Sequence, residues 1–380
     1  MQIHEIEHGF DGSNGLEQTV KKIRSNPSYL FNPCSIKQGI MMKNLQKYWF
    51  FAILFLLLFS CTPKPAGLSD AEKLDAFFTN ENVKIVVTDS GLGGVSVAAD
   101  VVERIKTAGV FNKVDVVFFN AQPHLKSGYN SMDTNEQKVA VFNNALEAID
   151  KNLSPDLILI ACNTLSVLYD QTPYAKVATI PVVGIIETGV DLINSRMANS
   201  DNSKVIVFAT KTTVEKGKHK AGLMDLGFTE DRIVTQACLR LAGRIERGPD
   251  SDTTKALVYQ YVEETLPEIK EGEEVYVSYN CTHYGYVDNI FQQAFKDKGI
   301  EVKEFLDPNP LMANFIFEEK YRNRYDNTEV TVKIISQPEL PPGRQAAIYE
   351  LIVLTSEQTA DALFDYTFTP DFFEWESIAK

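Results

Sequence analysis

VKIVVTDSGLGGVSVAADVVERI, Val83 to Ile105, decides the fold class. Its first part, VKIVVTDS, is a short apolar run rich in β-branched residues, the pattern of a strand buried on both faces. GLGG then turns the chain, and VSVAADVVERI repeats apolar residues at helical spacing. A strand, a glycine turn and a helix in that order open a parallel α/β unit.

The same alternation continues outward. KVDVVFF (Lys113–Phe119) is a second strand, NEQKVAVFNNALEAIDK a helix, DLILIACNT (Asp156–Thr164) a third strand and PVVGII (Pro181–Ile186) a fourth. A comparable series then restarts with KVIVFAT (Lys204–Thr210), a helix over 213–226, RIVTQAC, the helix TTKALVYQYVEETL, and the strands EVYVSYNCTHY and EVKEFLD. Near-continuous apolar strands alternating with amphipathic helices predict parallel sheets covered on both faces. Two such series predict two similar doubly wound α/β domains facing each other across a cleft.

The chain divides accordingly: an upstream segment with an export signal (1–60), a tether (61–81), a first α/β domain (82–186) and a second (187–305). A return helix packing on the first domain (306–327) and a C-terminal extension (328–380) follow. The extension reads as two extended runs joined at Pro341-Pro342-Gly343, with a short helix near SEQTADALFDY.

With 37 basic and 51 acidic residues among 380, the net charge is -14, and the basic residues form no stripe. That balance argues against a nucleic-acid partner, because neutralising phosphates needs clustered Lys and Arg. MMKNLQKYWFFAILFLLLFSC, Met41 to Cys61, carries lysines, then an apolar run from Trp49 to Phe59, then Ser60 and Cys61. The run is shorter than the roughly 20 residues a membrane-spanning helix needs. Basic, apolar and small-residue regions in this order read as a secretory signal, and LFSC resembles the lipobox of bacterial lipoproteins. That resemblance implies cleavage before Cys61, lipidation of Cys61 and a membrane-anchored, exported body, with Met41 or Met42 as the true start. A plain signal anchor and a buried core helix are the alternatives.

Five cysteines, at 34, 61, 162, 238 and 281, include no CxxC and no zinc-knuckle spacing, so no metal site is expected. Polar clusters stand at predicted strand ends, where ligands of open parallel sheets bind: TDSGLGG, ACNT, ATKTT and NCTHY. Cys162 and Cys281 occupy equivalent ends in the two series. Two thiols facing one cleft suit inversion of a carbon acid, one removing a proton from one face while the other delivers a proton to the opposite face. A thiol of reference pKa about 8.5 can act either way near neutrality. The glycine turn offers backbone N–H groups to a substrate carboxylate. Ser90, Asn163, Thr164, Thr210, Thr213 and Thr282 offer a polar cradle.

VTDSGLGGVSV, ACNTLS, PVVGIIETG, ATKTTVEKG and NCTHYGYV together resemble, in order, the signature segments of the cofactor-independent glutamate racemase family, within the aspartate/glutamate racemase superfamily. The resemblance spans about Val83 to Ala313. It implies that Cys162 and Cys281 are the two acid/base residues, assisted by Asp89 and His283, with Glu246 of LAGRIERG in the same cleft. It further implies that Ser90, Asn163, Thr164, Thr210, Thr213 and Thr282 hold the ammonium and carboxylates of a small amino-acid substrate, glutamate or aspartate. No cofactor is implied, and a homodimer is.

The sequence departs from the family pattern at Asn120, at Gly128-Tyr129-Asn130 in place of a Pro-Tyr-Gly turn, at Tyr279-Asn280 and at Gly285. These departures bear on the pocket that reads the substrate side chain. The rival reading is a non-catalytic lipoprotein binding small carboxylates in a racemase-like cleft. Cys238 reads as a core residue, and His124 and His219 carry no assignment.

Overall fold

The computed structural model describes residues 68–379. The upstream segment, the export signal, Cys61 and the start of the tether lie outside the described residues. The rest of the tether corrects the expectation, because Asp70–Thr79 is a helix and its Phe77 and Phe78 are buried. Phe78 stacks on Tyr321 with ring centroids 3.6 Å apart, and Phe77 meets Phe111 edge-on at 5.1 Å. Two adjacent aromatics bury too much apolar surface to serve as a solvated spacer.

Among the described residues ten strands form two sheets, parallel throughout. They are β1 (Asn82–Asp89), β2 (Lys113–Asn120), β3 (Leu157–Ile160), β4 (Val182–Gly184), β5 (Ser203–Ala209), β6 (Ile233–Ala237), β7 (Glu274–Asn280), β8 (Val302–Leu306), β9 (Glu329–Ser336) and β10 (Thr367–Phe368). The first sheet runs β10-β9-β2-β1-β3-β4 and the second β6-β5-β7-β8. The order β2-β1-β3-β4 recurs as β6-β5-β7-β8, so the second lobe repeats the topology of the first. In each lobe the winding reverses beside the central strand, between β1 and β3 and between β5 and β7. Those reversals open crevices at the carboxyl ends of the strands.

The opening unit forms as its sequence predicts. β1 is buried over Ile85–Asp89, and the helix Val95–Ala108 turns Val95, Val97, Ala98, Val101, Val102 and Ile105 inward against it. At roughly 1.5–3 kcal/mol for each large aliphatic side chain fully buried, this packing dominates the local energetics. A second apolar cluster, on the other side of the first sheet, joins the lobes: Val86 and Ile160 share it with Ile193, Met197, Val205 and Tyr276.

Three expectations are corrected. Residues 306–327 form three 3-10 turns, Asn309–Leu311, Asn314–Phe317 and Glu319–Tyr321, where a helix was expected. They still bury Met312, Ala313 and Ile316 in the first lobe's core. Pro308 and Pro310 explain the broken helix, since proline lacks the N–H that a helix interior uses. The helix expected over 213–226 is split at Gly217, whose φ of 62° places it in the left-handed region. In the extension only the first run is extended.

That first run becomes β9, paired with β2 from Lys113↔Glu329 to Asn120↔Ser336. The second is the helix Pro342–Ile352, with Pro342 at its first turn. The buried positions Arg344, Ile348 and Ile352 recur every four residues, a helical period that β-branched content obscured. The extension therefore enlarges the first sheet and sets an arginine on a buried face.

Candidate active site

Each lobe delivers a thiol to its own crevice. Cys162 follows β3 and immediately precedes the helix Asn163–Tyr169, and Cys281 follows β7. Both are 5% exposed, and both line one cavity of about 420 Å³. Asp89, Ser90, Asn163, Thr164, Thr210, Thr282, His283 and Glu246 line it too. Among the expected site residues of the body, Thr213 alone stands back. It sits in the first turn of the helix Lys211–Lys216, where its N–H donates to the capping Thr210 Oγ1 at 3.4 Å and its own Oγ1 lies 3.0 Å from that oxygen. Thr213 thus positions Thr210 rather than facing the cavity.

The two thiols have different supports. Cys162 Sγ lies 3.1 Å from Ser90 Oγ, and the Ser90 N–H donates to Asp89 Oδ1 at 2.5 Å. Cys281 Sγ lies 3.7 Å from His283 Nδ1, and His283 Nε2 lies 2.7 Å from Glu246 Oε1. Hydrogen bonds close the cleft between the lobes: Thr282 Oγ1 donates to Asp89 Oδ2 at 2.7 Å, Thr164 and Thr210 meet at 2.7 Å, and Tyr286 OH donates to Gly93 O at 3.1 Å.

The glycine turn works differently from the expectation. The Leu92 N–H donates to Glu246 Oε1 at 2.7 Å, so this donor serves a protein carboxylate of the opposite lobe. Gly91 and Gly93 are needed because that lobe comes so close. A Cβ on Gly91 would stand 2.5 Å from Glu246 Oε1, and one on Gly93 would overlap Thr282 Oγ1 and lie 2.6 Å from His283 Nδ1.

Burial and charge set the protonation states. Burial, and after it the charge of Asp89, pushes the Cys162 thiol well above its ordinary value, so it is protonated at neutral pH. Burial also raises Asp89, against the charge of His283 and hydrogen bonds from Thr282, Cys162 and Ser90. For His283 burial favours the neutral ring, but the Cys281 and Glu246 contacts prevail and hold it well above its usual value. Burial would raise Glu246 as well, yet His283, then Arg344 and the Leu92 N–H, bring it down to about 2. The second thiol therefore faces an imidazolium backed by a carboxylate.

Several residues of the cavity carried no signal in the sequence. Arg344, on the extension's helix, lines the cavity and sets Nη1 3.2 Å from Glu246 Oε2. Arg244 and Arg247, on either side of Glu246, line it as well, as does Gln122. Asn163 is buried with neither side-chain oxygen nor nitrogen hydrogen-bonded among the described residues, and so is the Tyr129 hydroxyl. Both residues line the cavity, where a ligand's polar atoms would satisfy them.

The departures from the family pattern separate in space. Gly128, Tyr129 and Asn130 line the cavity. Tyr279 instead packs in the second lobe's core and donates its hydroxyl to Asp288 at 2.8 Å. Asn120 ties β2 to β9 through Ser336 Oγ at 3.0 Å. A side chain at Gly285 would collide with Asp307. Cys238 packs in the second lobe's core as expected, and one edge of it reaches the cavity.

Comparison with known proteins places these features in a group. The family model described as Asp/Glu/Hydantoin racemase matches residues 92–310. The chain is 27% identical over 248 residues to a glutamate racemase of Fusobacterium nucleatum, which covers 63% of this chain and 86% of that relative. It is 29% identical over 205 residues to the glutamate racemase of Aquifex pyrophilus, covering 53% and 71%. Its fold matches a glutamate racemase of Francisella tularensis solved with D-glutamate, at a TM-score of 0.56 and 19% identity over 78% of this chain and 99% of that one. β9, the helix 342–352 and Arg344 lie beyond the family match.

Proposed function

The chain belongs to the Asp/Glu/hydantoin racemase family, and from that premise we propose that it racemises an acidic amino acid, glutamate foremost and aspartate next, by proton exchange between two thiols. One observation carries the reading: Cys162 and Cys281 stand at equivalent strand ends of topologically repeated lobes and line the same cavity. A core cysteine needs no such partner.

In this mechanism one thiolate takes the α-proton, breaking the C–H bond and leaving its electron pair on the carbon. The opposite thiol gives its proton to the other face, forming the new C–H bond and becoming the thiolate. The pair ends with its roles exchanged, ready for the mirror substrate. Cys162, protonated at rest, is the first acid, and Cys281 beside the His283 imidazolium is the first base. Ser90 is placed to pass hydrogen-bond support to Cys162, and Glu246 positions His283. Asn163, Thr164, Thr210 and Thr282 hold the substrate's ammonium and carboxylates.

The test is to incubate the full-length chain, under reductant, with single enantiomers of glutamate and of aspartate in deuterium oxide. Loss of optical rotation with α-deuterium uptake is expected. Absence of both with each acid would overturn the reading in favour of a carboxylate-binding protein.

We also propose that Cys61 is lipidated and holds the body at a membrane surface, since the basic, apolar and small-residue regions before it have the order of an export signal. Incorporation of a labelled fatty acid that a Cys61→Ser change abolishes would support this. Unchanged labelling would refute it.

A further inference from the structure

Around Glu246 the cavity wall is strongly cationic, in a chain whose net charge is -14. Arg244, Arg247 and Arg344 all line it. Arg344 is 7% exposed, and its protein contacts run through Nη1 alone, to Glu246 Oε2 at 3.2 Å and Gln122 Oε1 at 3.5 Å. Its Nε and Nη2 donors have no protein acceptor among the described residues. Arg244 and Arg247 make no side-chain hydrogen bond or ion pair among the described residues. Arg247 is held below its ordinary value by partial burial and then by the charges of Arg344 and Arg244, so it feels both of the other guanidiniums across the shared cavity.

One carboxylate does not offset this group. Glu246 Oε1 already accepts from His283 and from the Leu92 N–H, which leaves Oε2 for Arg344. A buried guanidinium with idle donors, beside two more cations, is unfavourable unless an anion joins it. A planar fork of N–H donors matches a carboxylate in two-point contact. Nothing in the core of an α-amino acid requires so much positive charge in addition to the hydroxyl and amide cradle at Asn163, Thr164, Thr210 and Thr282.

We propose that Arg244, Arg247 and the extension's Arg344 form the subsite for the anionic group at the far end of the substrate side chain, so that a distal carboxylate is selected by charge. This rests on the racemase reading and deepens it by assigning side-chain recognition to Arg344, beyond the family match, and to Arg244 and Arg247 within it. Glutamine, the neutral isostere of glutamate, is then the diagnostic competitor, because it keeps the shape and loses the charge.

The experiment is calorimetric titration of the full-length chain under reductant with L-glutamate, with L-glutamine and with inorganic phosphate, accompanied by α-deuteration rates for both amino acids. Wild type is expected to bind glutamate at least about 30-fold more tightly than glutamine. Arg244→Gln combined with Arg247→Gln, at two exposed positions, and separately Arg344→Gln, should each bring that ratio to within about threefold. Arg344→Lys, which keeps the charge beside Glu246 but not the fork, should retain part of it.

Equal affinity for glutamate and glutamine in wild type, or a ratio unchanged in both the double variant and Arg344→Gln, would overturn the subsite. So would millimolar phosphate strengthening glutamine binding, because the arginines would then serve a separate anion. Charge-selective glutamate binding without α-deuteration would leave the subsite standing while the racemase reading fails. Fast deuteration without charge preference would do the reverse.

Discussion

His283 Nε2 lies 2.7 Å from Glu246 Oε1, with both side chains buried, and the Cys281 contact together with this one holds the imidazole protonated. Glu246→Gln keeps the shape and removes the charge. We expect kcat for racemisation to fall about 10²-fold with KM changed little, because proton transfer by a positioned acid/base group supplies an effect of at least that size. Circular dichroism of glutamate reads both constants. A change confined to KM would make Glu246 a substrate ligand instead.

The same pair has a signature in stability against pH. His283 is raised in the folded state, so its contribution is complete below its unfolded value of about 6.5 and fades as pH rises through the higher folded value. Glu246 is lowered to about 2. Its contribution is complete above its unfolded value of about 4.3 and fades as pH falls through the folded value. The stability lost in Glu246→Gln, measured by urea unfolding, should be level between about pH 4.3 and 6.5 and shrink on either side. A loss that grows above neutral pH would contradict this.

Gly93 tests how closely the lobes approach. Gly93→Ala places a methyl group against Thr282 and His283 across the cleft, and we expect about 1–3 kcal/mol of destabilisation together with loss of activity. Gly343→Ala, in a helix and with nothing within 4 Å, is the control and should leave melting unchanged or raise it slightly. Equal melting temperatures for the two variants would mean that the cleft opens freely.

Much of this was legible in the sequence because buried parallel strands and their helices leave strong local patterns. Val83–Asp89, Asp156–Ile160 and Glu274–Asn280 are apolar runs that end in short polar clusters, and the ends of such strands are where a parallel fold gathers its ligands. Cys162 and Cys281 could thus be paired although 118 residues lie between them. Arg344 could not. Its place depends on β9 joining the edge of β2 and on a helix whose apolar positions are interrupted by the arginine itself, and no local pattern announces a strand added from the far end of the chain. Phe77 and Phe78 were hidden for a related reason, since the partners that bury them, Phe111 and Tyr321, are distant in sequence.

Each thiol should also act alone on one hand of the substrate. In Cys162→Ser, Cys281 can still remove and return a proton on its own face, so one enantiomer should exchange its α-hydrogen for deuterium with retention of configuration. Cys281→Ser should exchange the other. Both variants should lose racemisation by at least about 10³-fold, and equally in the two directions, because enantiomers are equal in free energy. Exchange of the same enantiomer by both variants would contradict two opposed bases.

The most direct measurement is the early time course of deuterium in wild type. L-glutamate is incubated with the full-length chain in deuterium oxide under reductant, and the two enantiomers are separated and weighed by mass spectrometry before a tenth of the substrate has turned over. If opposed thiols flank the α-carbon, the D-glutamate formed carries one deuterium and the remaining L-glutamate almost none. Deuterium entering unreacted L-glutamate as fast as it appears in D-glutamate would mean that a single base serves both faces, and the central role given to Cys162 and Cys281 would be wrong.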